Sequence, residues 1–328
     1  MPLRSIDENS WVLAEMVIIR RQWSKTELPA SEYSFKGPDN AFYTCTEIQG
    51  PAPKTKALRE DSHIRLIEDA GVRACRWQFG SVTCEVYYCR EKGPKEWEVL
   101  NWLNEKGLSF DVPKVFYHYQ DTVLPGRRVI VRTHVPGGLL LALWPKLNDK
   151  LKDVYTREVL RLTKELAQFT SSRLEGLDGE PSYDGEMFVK APRGEDVNYD
   201  EVIKRCKWFG MKCDAFHFYN HDVGLHNIWF RTDEEAMAEI DRAVQDPTYV
   251  PKRRLIALQS YMFTGFVPLE WVATNLFEPL FRLPYKSEIE FKAKLKKEFE
   301  LAGWPNVRDK WESQLDVKKK KREEEKEI

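Results

Sequence analysis

An aspartate and an asparagine share one polar turn between two apolar runs. Asp222 and Asn227 lie five residues apart, after Phe216-His217-Phe218 and before Ile228-Trp229-Phe230. A carboxylate in such a loop can take the proton of a hydroxyl group, and an amide oxygen one loop-width away can hold Mg²⁺, which are the two tasks of phosphoryl transfer. The flanking apolar runs predict a strand, a loop and a strand. Because the spacing also fits a simple turn closed by Asx hydrogen bonds, the rest of the chain must decide between them.

Length and charge narrow the classes of partner. The chain has 328 residues, 42% of them apolar, and a net charge of -1. It is long enough for two lobes, and no overall field attracts nucleic acid or a membrane. The six cysteines form no C-x-x-C pair, the first residues form no apolar signal segment, and no apolar run reaches membrane-spanning length. We therefore expect an intracellular, cytoplasmic protein without a membrane partner.

The pattern of apolar residues changes from strand-like to helix-like near Gly137. Short β-branched or aromatic segments predict strands at residues 64–67, 72–77, 82–88, 112–117, 128–132 and 254–258. Helical spacing predicts helices at about residues 94–106, 154–169, 233–244 and 287–302. The expected fold class is α+β, with a small antiparallel β-rich lobe followed by a larger, mainly helical lobe.

Four regions follow from this change of pattern. Residues 1–60 have no long periodicity, so we expect an N-terminal extension and assign it no role. The β-rich lobe covers residues 61–135, and the helical lobe with the polar loop covers residues 136–315. Residues 316–328 form a charged tail, which favours a solvated or disordered end, with contact to nucleic acid as the minor alternative.

The first predicted helix carries a carboxylate on its apolar side. Glu96 precedes Leu100 and Leu103 at helical spacing, so it borders the buried face and needs a cationic partner if it is buried. The preceding strand region offers Arg76 and Arg90. The alternative is an ordinary solvated helix charge.

Several segments, in this order, resemble the aminoglycoside phosphotransferase and choline kinase-like family, particularly its fungal members. The segments are residues 96–103 with Val112-Pro113-Lys114-Val115, then residues 129–139, 176–181 and 265–271. The resemblance implies a bilobal protein-kinase-like fold, ATP and Mg²⁺ as cofactors, and a small-molecule substrate. It also implies roles for individual residues: Asp222 as catalytic base, Asn227 as metal ligand, Glu96 as the ion-pair glutamate, and Thr133 and Val135 in the adenine-binding hinge.

The chain departs from the family's pattern in the catalytic loop and in the first lobe. Asn220 stands where a histidine usually precedes the loop, with His221 in the next place, so the internal bracing of the loop is altered. The strand lysine that should pair with Glu96 is not evident. Arg76 or Arg90 would keep its charge, but a guanidinium does not keep the geometry of a lysine.

The second metal ligand has two alternatives. The match at residues 265–268 places it at Ser260, whereas the usual spacing from Asn227 leads to Asp241. The sequence around Asp241 has a helical pattern, and residues 255–258 have the strand pattern that should precede the ligand, so we favour Ser260. A serine does not replace an anionic Mg²⁺ ligand, and the metal site is therefore expected to be degenerate.

Three functions remain open from the sequence. The first is ATP-dependent phosphorylation of a small-molecule hydroxyl group. The second is a pseudokinase-like binding or scaffold protein, and the third is a kinase-like fold turned to other chemistry, such as aminoacyl-tRNA-dependent synthesis, with the basic run at residues 318–322 holding the nucleic acid.

A zinc site is a separate alternative. Cys213, His217 and His221, with His226 close by, would share one face of a helix. The alternation of Phe216 and Phe218 instead favours a strand, which would separate these side chains.

Overall fold

A computed structural model describes most of the chain. The described residues are 3–22, 34–36, 41–59, 64–69, 71, 74–88, 95–122, 124, 126–135, 137–180, 198–252, 254–258, 264–276, 286–310 and 313. The chain divides into two compact units: Met1–Lys92, Leu100–Gly107 and Asp111–Pro136 form unit 1, and Gly93–Val99, Leu108–Phe110 and Gly137–Ile328 form unit 2. Antiparallel strands dominate unit 1 and helices dominate unit 2, so the predicted α+β fold class is confirmed.

The N-terminal region forms a six-stranded antiparallel sheet, which the sequence analysis missed. Its strands, in the order β4-β5-β3-β2-β1-β6, are β1 Leu3–Ser5, β2 Ser10–Leu13, β3 Val17–Gln22, β4 Ser34–Lys36, β5 Phe42–Glu47 and β6 Lys56–Ala57. The turn between β2 and β3 lacks the usual signal, because its central residues Ala14 and Glu15 have φ of 51° and 62° without being glycine or asparagine.

A second antiparallel sheet of five strands completes the β structure of unit 1. In the order β10-β11-β9-β8-β7, its strands are β7 Ile64–Asp69, β8 Ala74–Phe79, β9 Val82–Tyr88, β10 Val115–Gln120 and β11 Arg127–Thr133. Helix α1, Glu96–Asn104, lies between β9 and β10 in the chain. The predicted meander and the helix after it are thus confirmed.

The two sheets of unit 1 share one hydrophobic core. Trp11 and Tyr43 of the first sheet place their rings edge-on to Phe79 of the second, with centroids 5.9 and 6.1 Å away. Val82, Cys84 and Val86, alternate residues of β9, belong to the same core. Since neighbouring side chains of a strand face opposite sides, the residues between them lie on the other face of the five-stranded sheet.

Unit 2 combines helices with two small sheets. Its helices are α2 Leu140–Leu143, α3 Asp149–Leu166, α4 Tyr199–Phe209, α5 Glu234–Gln245, α6 Leu269–Leu276 and α7 Lys286–Leu301. Its strands are β12 Gly138–Leu139, β13 Thr170–Ser171, β14 Phe216–Asn220, β15 Ile228–Phe230, β16 Ile256–Leu258 and β17 Thr264–Val267, arranged as β12-β15-β16 and β13-β14-β17. The described part of the chain contains no helix long and apolar enough to cross a membrane.

Helix α3 anchors the segment that leads into β16. Glu158 accepts the backbone N–H of Leu255 at 3.3 Å, one turn before Arg161, which donates to the Pro251 carbonyl at 3.1 Å. One turn further on, Glu165 accepts a bond from Arg254 at 2.5 Å. Three consecutive turns of one helix therefore hold Pro251, Arg254 and Leu255, just before the strand that follows them.

Candidate active site

The loop with Asp222 and Asn227 connects a strand of one sheet of unit 2 to a strand of the other. On one side, β14 pairs with β17, and Asn220 lies opposite Thr264. On the other side, β15 pairs with β16, and Ile228 lies opposite Leu258. The predicted strand, loop and strand are confirmed, and both ends of the loop are held by strand pairing.

Two asparagine side chains close the backbone of this loop. Asn220 Oδ1 accepts the backbone N–H of Asp222 at 2.9 Å, and Asn227 Nδ2 donates to the backbone carbonyl of Asp222, also at 2.9 Å. Asn220 is fully buried and Asn227 is 2% exposed. Buried hydrogen bonds of this kind are costly to break, so they fix the position of Asp222 from both sides.

The carboxylate of Asp222 is bound by a histidine of the same loop. His226 Nε2 lies 2.9 Å from Asp222 Oδ1. Because an ionised carboxylate only accepts hydrogen bonds, Nε2 carries the proton and donates it. No described residue donates a hydrogen bond to the second oxygen, Oδ2, and the Asp222 side chain is 18% exposed. One oxygen is thus fixed by His226, and the other accepts no hydrogen bond from the described residues.

The surroundings of His226 favour its charged form. Burial by itself lowers the pKa of the imidazole, but the hydrogen bond that it donates to Asp222, the charge of Asp222 and the charge of Glu288 outweigh burial, and the pKa is raised above its ordinary value. Asp222 and His226 therefore act as a charge-assisted pair.

Helix α7 holds the same loop through two residues one turn apart. Glu288 Oε2 accepts the backbone N–H of Leu225 at 3.1 Å, and Lys292 Nζ donates to the carbonyl of Val223 at 2.8 Å. Lys292 is 4% exposed and its Nζ lies 4.0 Å from Glu288 Oε1. The sequence analysis predicted this helix but not its contact with the loop, since contacts 63 and 69 residues apart leave no local signal.

A glycine gives His226 the space it occupies. A Cβ added to Gly224 would lie 2.7 Å from His226 Cε1, 2.8 Å from its Nδ1 and 3.0 Å from Glu288 Oε1. Real Cβ atoms essentially never approach other atoms below 3.0 Å. The imidazole and the Glu288 carboxylate thus both pack against the bare backbone of Gly224.

The predicted hinge residues lie at the end of β11 in unit 1 and just after it. Thr133 ends the strand, and its Oγ1 accepts the backbone N–H of Lys114 at 2.9 Å. The next residue, His134, donates its backbone N–H to the Ser81 carbonyl at 2.7 Å, and Val135 after it is half-buried. Binding of adenine by this backbone stays a prediction.

The predicted ion pair of Glu96 also stays a prediction. Glu96 is the first residue of α1 and is 1% exposed, so it is not a solvated helix charge. Arg76 donates to Glu85 at 2.9 and 3.0 Å and to Glu68 at 2.9 Å. Arg90, the other predicted partner, lies outside the described residues.

Of the three predicted metal ligands, the structure describes Asn227 and Asp241 but not Ser260. Asn227 is held in the loop as described above, whereas Ser260 lies outside the described residues, in the gap between β16 and β17. Asp241 lies on α5 and is exposed, which confirms the helical pattern around it. Among the described ranges, no group of three acidic, histidine or cysteine side chains could hold a metal ion.

The residues of the zinc alternative have other contacts. His217 belongs to strand β14, as its pattern indicated, and its Nδ1 is hydrogen-bonded to the Ala167 carbonyl at 2.7 Å. His221 places its ring edge-on to Tyr219, with centroids 5.0 Å apart. Because His217 belongs to a strand and not to a helix, His217 and His221 do not share a helix face.

Comparisons with known proteins identify structural likenesses alone. Neither a family model nor a curated protein sequence matches the chain. The solved structures that resemble it include the streptomycin–ATP complex of APH(2″)-IIa (14% identity, 74% of this chain and 78% of that chain, TM-score 0.44), a thermostable mutant of aminoglycoside phosphotransferase APH(4)-Ia in its apo form (13%, 74%, 78%, 0.47) and ADP-bound aminoglycoside phosphotransferase APH(2″)-Ib (13%, 74%, 78%, 0.43). They carry the family name that the sequence segments resemble.

Proposed function

We propose that this protein is a divergent phosphotransferase that moves a phosphoryl group from ATP to a hydroxyl group of a small molecule. One observation carries the proposal. The Asp222 carboxylate has one oxygen bound to His226, at 2.9 Å, and the other bound by no described residue, on a loop that the Asn227 side chain closes. A fixed carboxylate with one oxygen left for a further proton suits a general base that accepts the proton of an incoming hydroxyl.

In the proposed reaction, one bond to the γ-phosphorus forms while another breaks. The acceptor hydroxyl loses its proton to Asp222 Oδ2 while its oxygen forms a bond to the γ-phosphorus, and the bond from that phosphorus to the ADP oxygen breaks. Asp222 must point at the acceptor oxygen during this step. The bonds from Asn220 and Asn227 hold its backbone, so the protein orients the base before the substrate arrives.

Mg²⁺ fits the described part of the loop through one donor. The Asn227 side chain donates its nitrogen to the Asp222 carbonyl, and its amide oxygen is the atom type that Mg²⁺ prefers. When bound, the ion would neutralise charge on the phosphates. Ser260 is proposed as the degenerate second position of the metal site, with Asp241 as its alternative. The backbone at Thr133 and Val135 is proposed to bind adenine. Glu96, with Arg76 or Arg90, is proposed as the pair that positions the phosphates.

Calorimetric titration of the purified chain with ATP, with and without Mg²⁺, tests nucleotide binding. Transfer of labelled phosphate to a panel of hydroxylated small molecules then tests catalysis, with Asp222→Asn as the matched variant. We expect Mg²⁺-dependent binding in both proteins and a strongly reduced rate of transfer in Asp222→Asn. Transfer by Asp222→Asn at the wild-type rate would refute the assignment of the base.

A binding protein without catalysis is the second candidate, and the serine at position 260 favours it, since a serine is not an anionic Mg²⁺ ligand. Such a protein would bind ATP equally well with and without Mg²⁺ and would transfer no phosphate. Ser260→Asp separates the two candidates, because an added carboxylate should strengthen binding of the Mg²⁺–ATP complex only if this position faces the metal.

A further inference from the structure

We propose that His226 is a positioning residue that orients the carboxylate of Asp222 for the reaction, and that Gly224 and Glu288 hold His226 in place. This inference rests on the proposed function. It concerns a histidine immediately before Asn227, a position to which the sequence analysis gave no catalytic role.

The side chain of an aspartate can rotate about its last bond, and this rotation exchanges the two oxygens and changes the direction of both. The bond from His226 Nε2 to Asp222 Oδ1, at 2.9 Å, removes this freedom. It leaves Oδ2 as the oxygen that faces an acceptor, and a displacement of about 1 Å in such a group can cost about 100-fold in rate.

The imidazole of His226 is itself confined. Its Cε1 and Nδ1 lie 2.7 and 2.8 Å from the place of a Cβ on Gly224, so no other residue at position 224 leaves the ring where it is. Glu288 Oε1 lies 3.0 Å from the same place. The Glu288 carboxylate also binds the N–H of Leu225, the residue before His226, and so holds the backbone that carries the ring.

The imidazole of His226 orients the Asp222 carboxylate but does not hold the loop closed. Side-chain hydrogen bonds from Asn220, Asn227, Glu288 and Lys292 hold the backbone of the loop, and none of these four bonds involves the imidazole. Removing the ring should therefore leave the loop closed and Asp222 in place, with the carboxylate free to rotate. The loss should appear in the turnover number and not in nucleotide binding.

Three variants of the full chain test the proposal: His226→Leu, which has no donor, His226→Gln, whose amide N–H can replace the Nε2 donor, and Gly224→Ala, which pushes the ring away. We expect His226→Leu and Gly224→Ala to lower kcat by about 10- to 100-fold, with KM for ATP changed by no more than about twofold. His226→Gln should recover a large part of the loss. His217→Leu is the matched control, because His217 is a half-buried histidine at the other end of β14 and should leave kcat unchanged.

A double variant isolates the route of the effect. If His226 acts through Asp222, then adding His226→Leu to Asp222→Asn should lower the residual rate no further. A kcat for His226→Leu within about twofold of the wild-type value would overturn the positioning role while Asp222→Asn still confirmed the base. An equal loss in His226→Gln and His226→Leu, or a loss confined to KM, would overturn it as well. Absence of transfer by the wild-type chain would overturn the proposed function itself, which is a different result.

Discussion

Replacing Glu85 by glutamine should destabilise the protein by about 3–5 kcal/mol, because it removes the buried carboxylate that two buried guanidinium groups share. Glu85 is 3% exposed and lies on strand β9, on the face turned away from the shared core of unit 1. It accepts bonds from Arg76 at 2.9 and 3.0 Å and from Arg132 at 3.0 Å. Both arginines are buried, at 7% and 2% exposure.

The same cluster predicts the direction of a pH effect. Burial by itself raises the pKa of Glu85, but the charges of Arg76 and Arg132 and their hydrogen bonds outweigh it, so the pKa is lowered in the folded protein. A lowered pKa means that the stabilisation is fully present above the ordinary glutamate pKa, about 4.3, and is lost as the pH falls through the folded value. The gap in stability between wild type and Glu85→Gln should therefore narrow in acid.

Urea denaturation at neutral pH, followed by circular dichroism, measures the difference. Glu68→Gln is the matched control: Glu68 binds the same Arg76 at 2.9 Å, but its side chain is 50% exposed. An exposed pair is worth about 0–1 kcal/mol, so the control should change the unfolding midpoint little. Equal shifts for the two variants would refute the argument that burial decides the cost.

Three further changes test the fold. Trp11→Ala should destabilise the protein by about 3–5 kcal/mol, because Trp11 is 3% exposed and packs against Phe79; an unchanged melting temperature would mean that the N-terminal sheet is dispensable. Glu15→Gly should stabilise it by up to about 1 kcal/mol, because Glu15 is exposed with φ of 62°, and a lower melting temperature would contradict this. Arg254→Ala should cost about 2–3 kcal/mol in the free energy of unfolding, since Arg254 is 7% exposed and binds Glu165 at 2.5 Å; a change below about 0.5 kcal/mol in urea denaturation would show that the pair contributes little.

The sequence predicted those elements whose pattern is local. Helix α7 has its capping signal at residues 287–290 and its stop at Gly303, and it was found within two residues of its observed bounds. The five strands of the second sheet were found for the same reason. The first sheet was missed because four of its six strands have four residues or fewer and the turn at residues 14–15 contains neither glycine nor asparagine, so the two signals used to recognise a hairpin are weak or absent.

The candidate site shows the same division between local and distant information. Asp222 and Asn227 were found because their spacing and their flanking strands lie within fifteen residues of sequence, from Phe216 to Phe230. The contacts from α7 were not found, since nothing near residue 288 or 292 indicates a loop more than sixty residues earlier. Such contacts exist only after the fold has formed, when α7 packs against the loop and binds its backbone.

Two residues hold Asp222 in different ways. Asn220 accepts the backbone N–H of Asp222, while the imidazole that donates to its carboxylate comes from His226, at the other end of the loop. The backbone and the side chain of one aspartate are thus held by two different residues. A change at Asn220 should therefore move the whole residue, whereas a change at His226 should only release its carboxylate, and the two effects can be measured separately as a loss of stability and a loss of turnover.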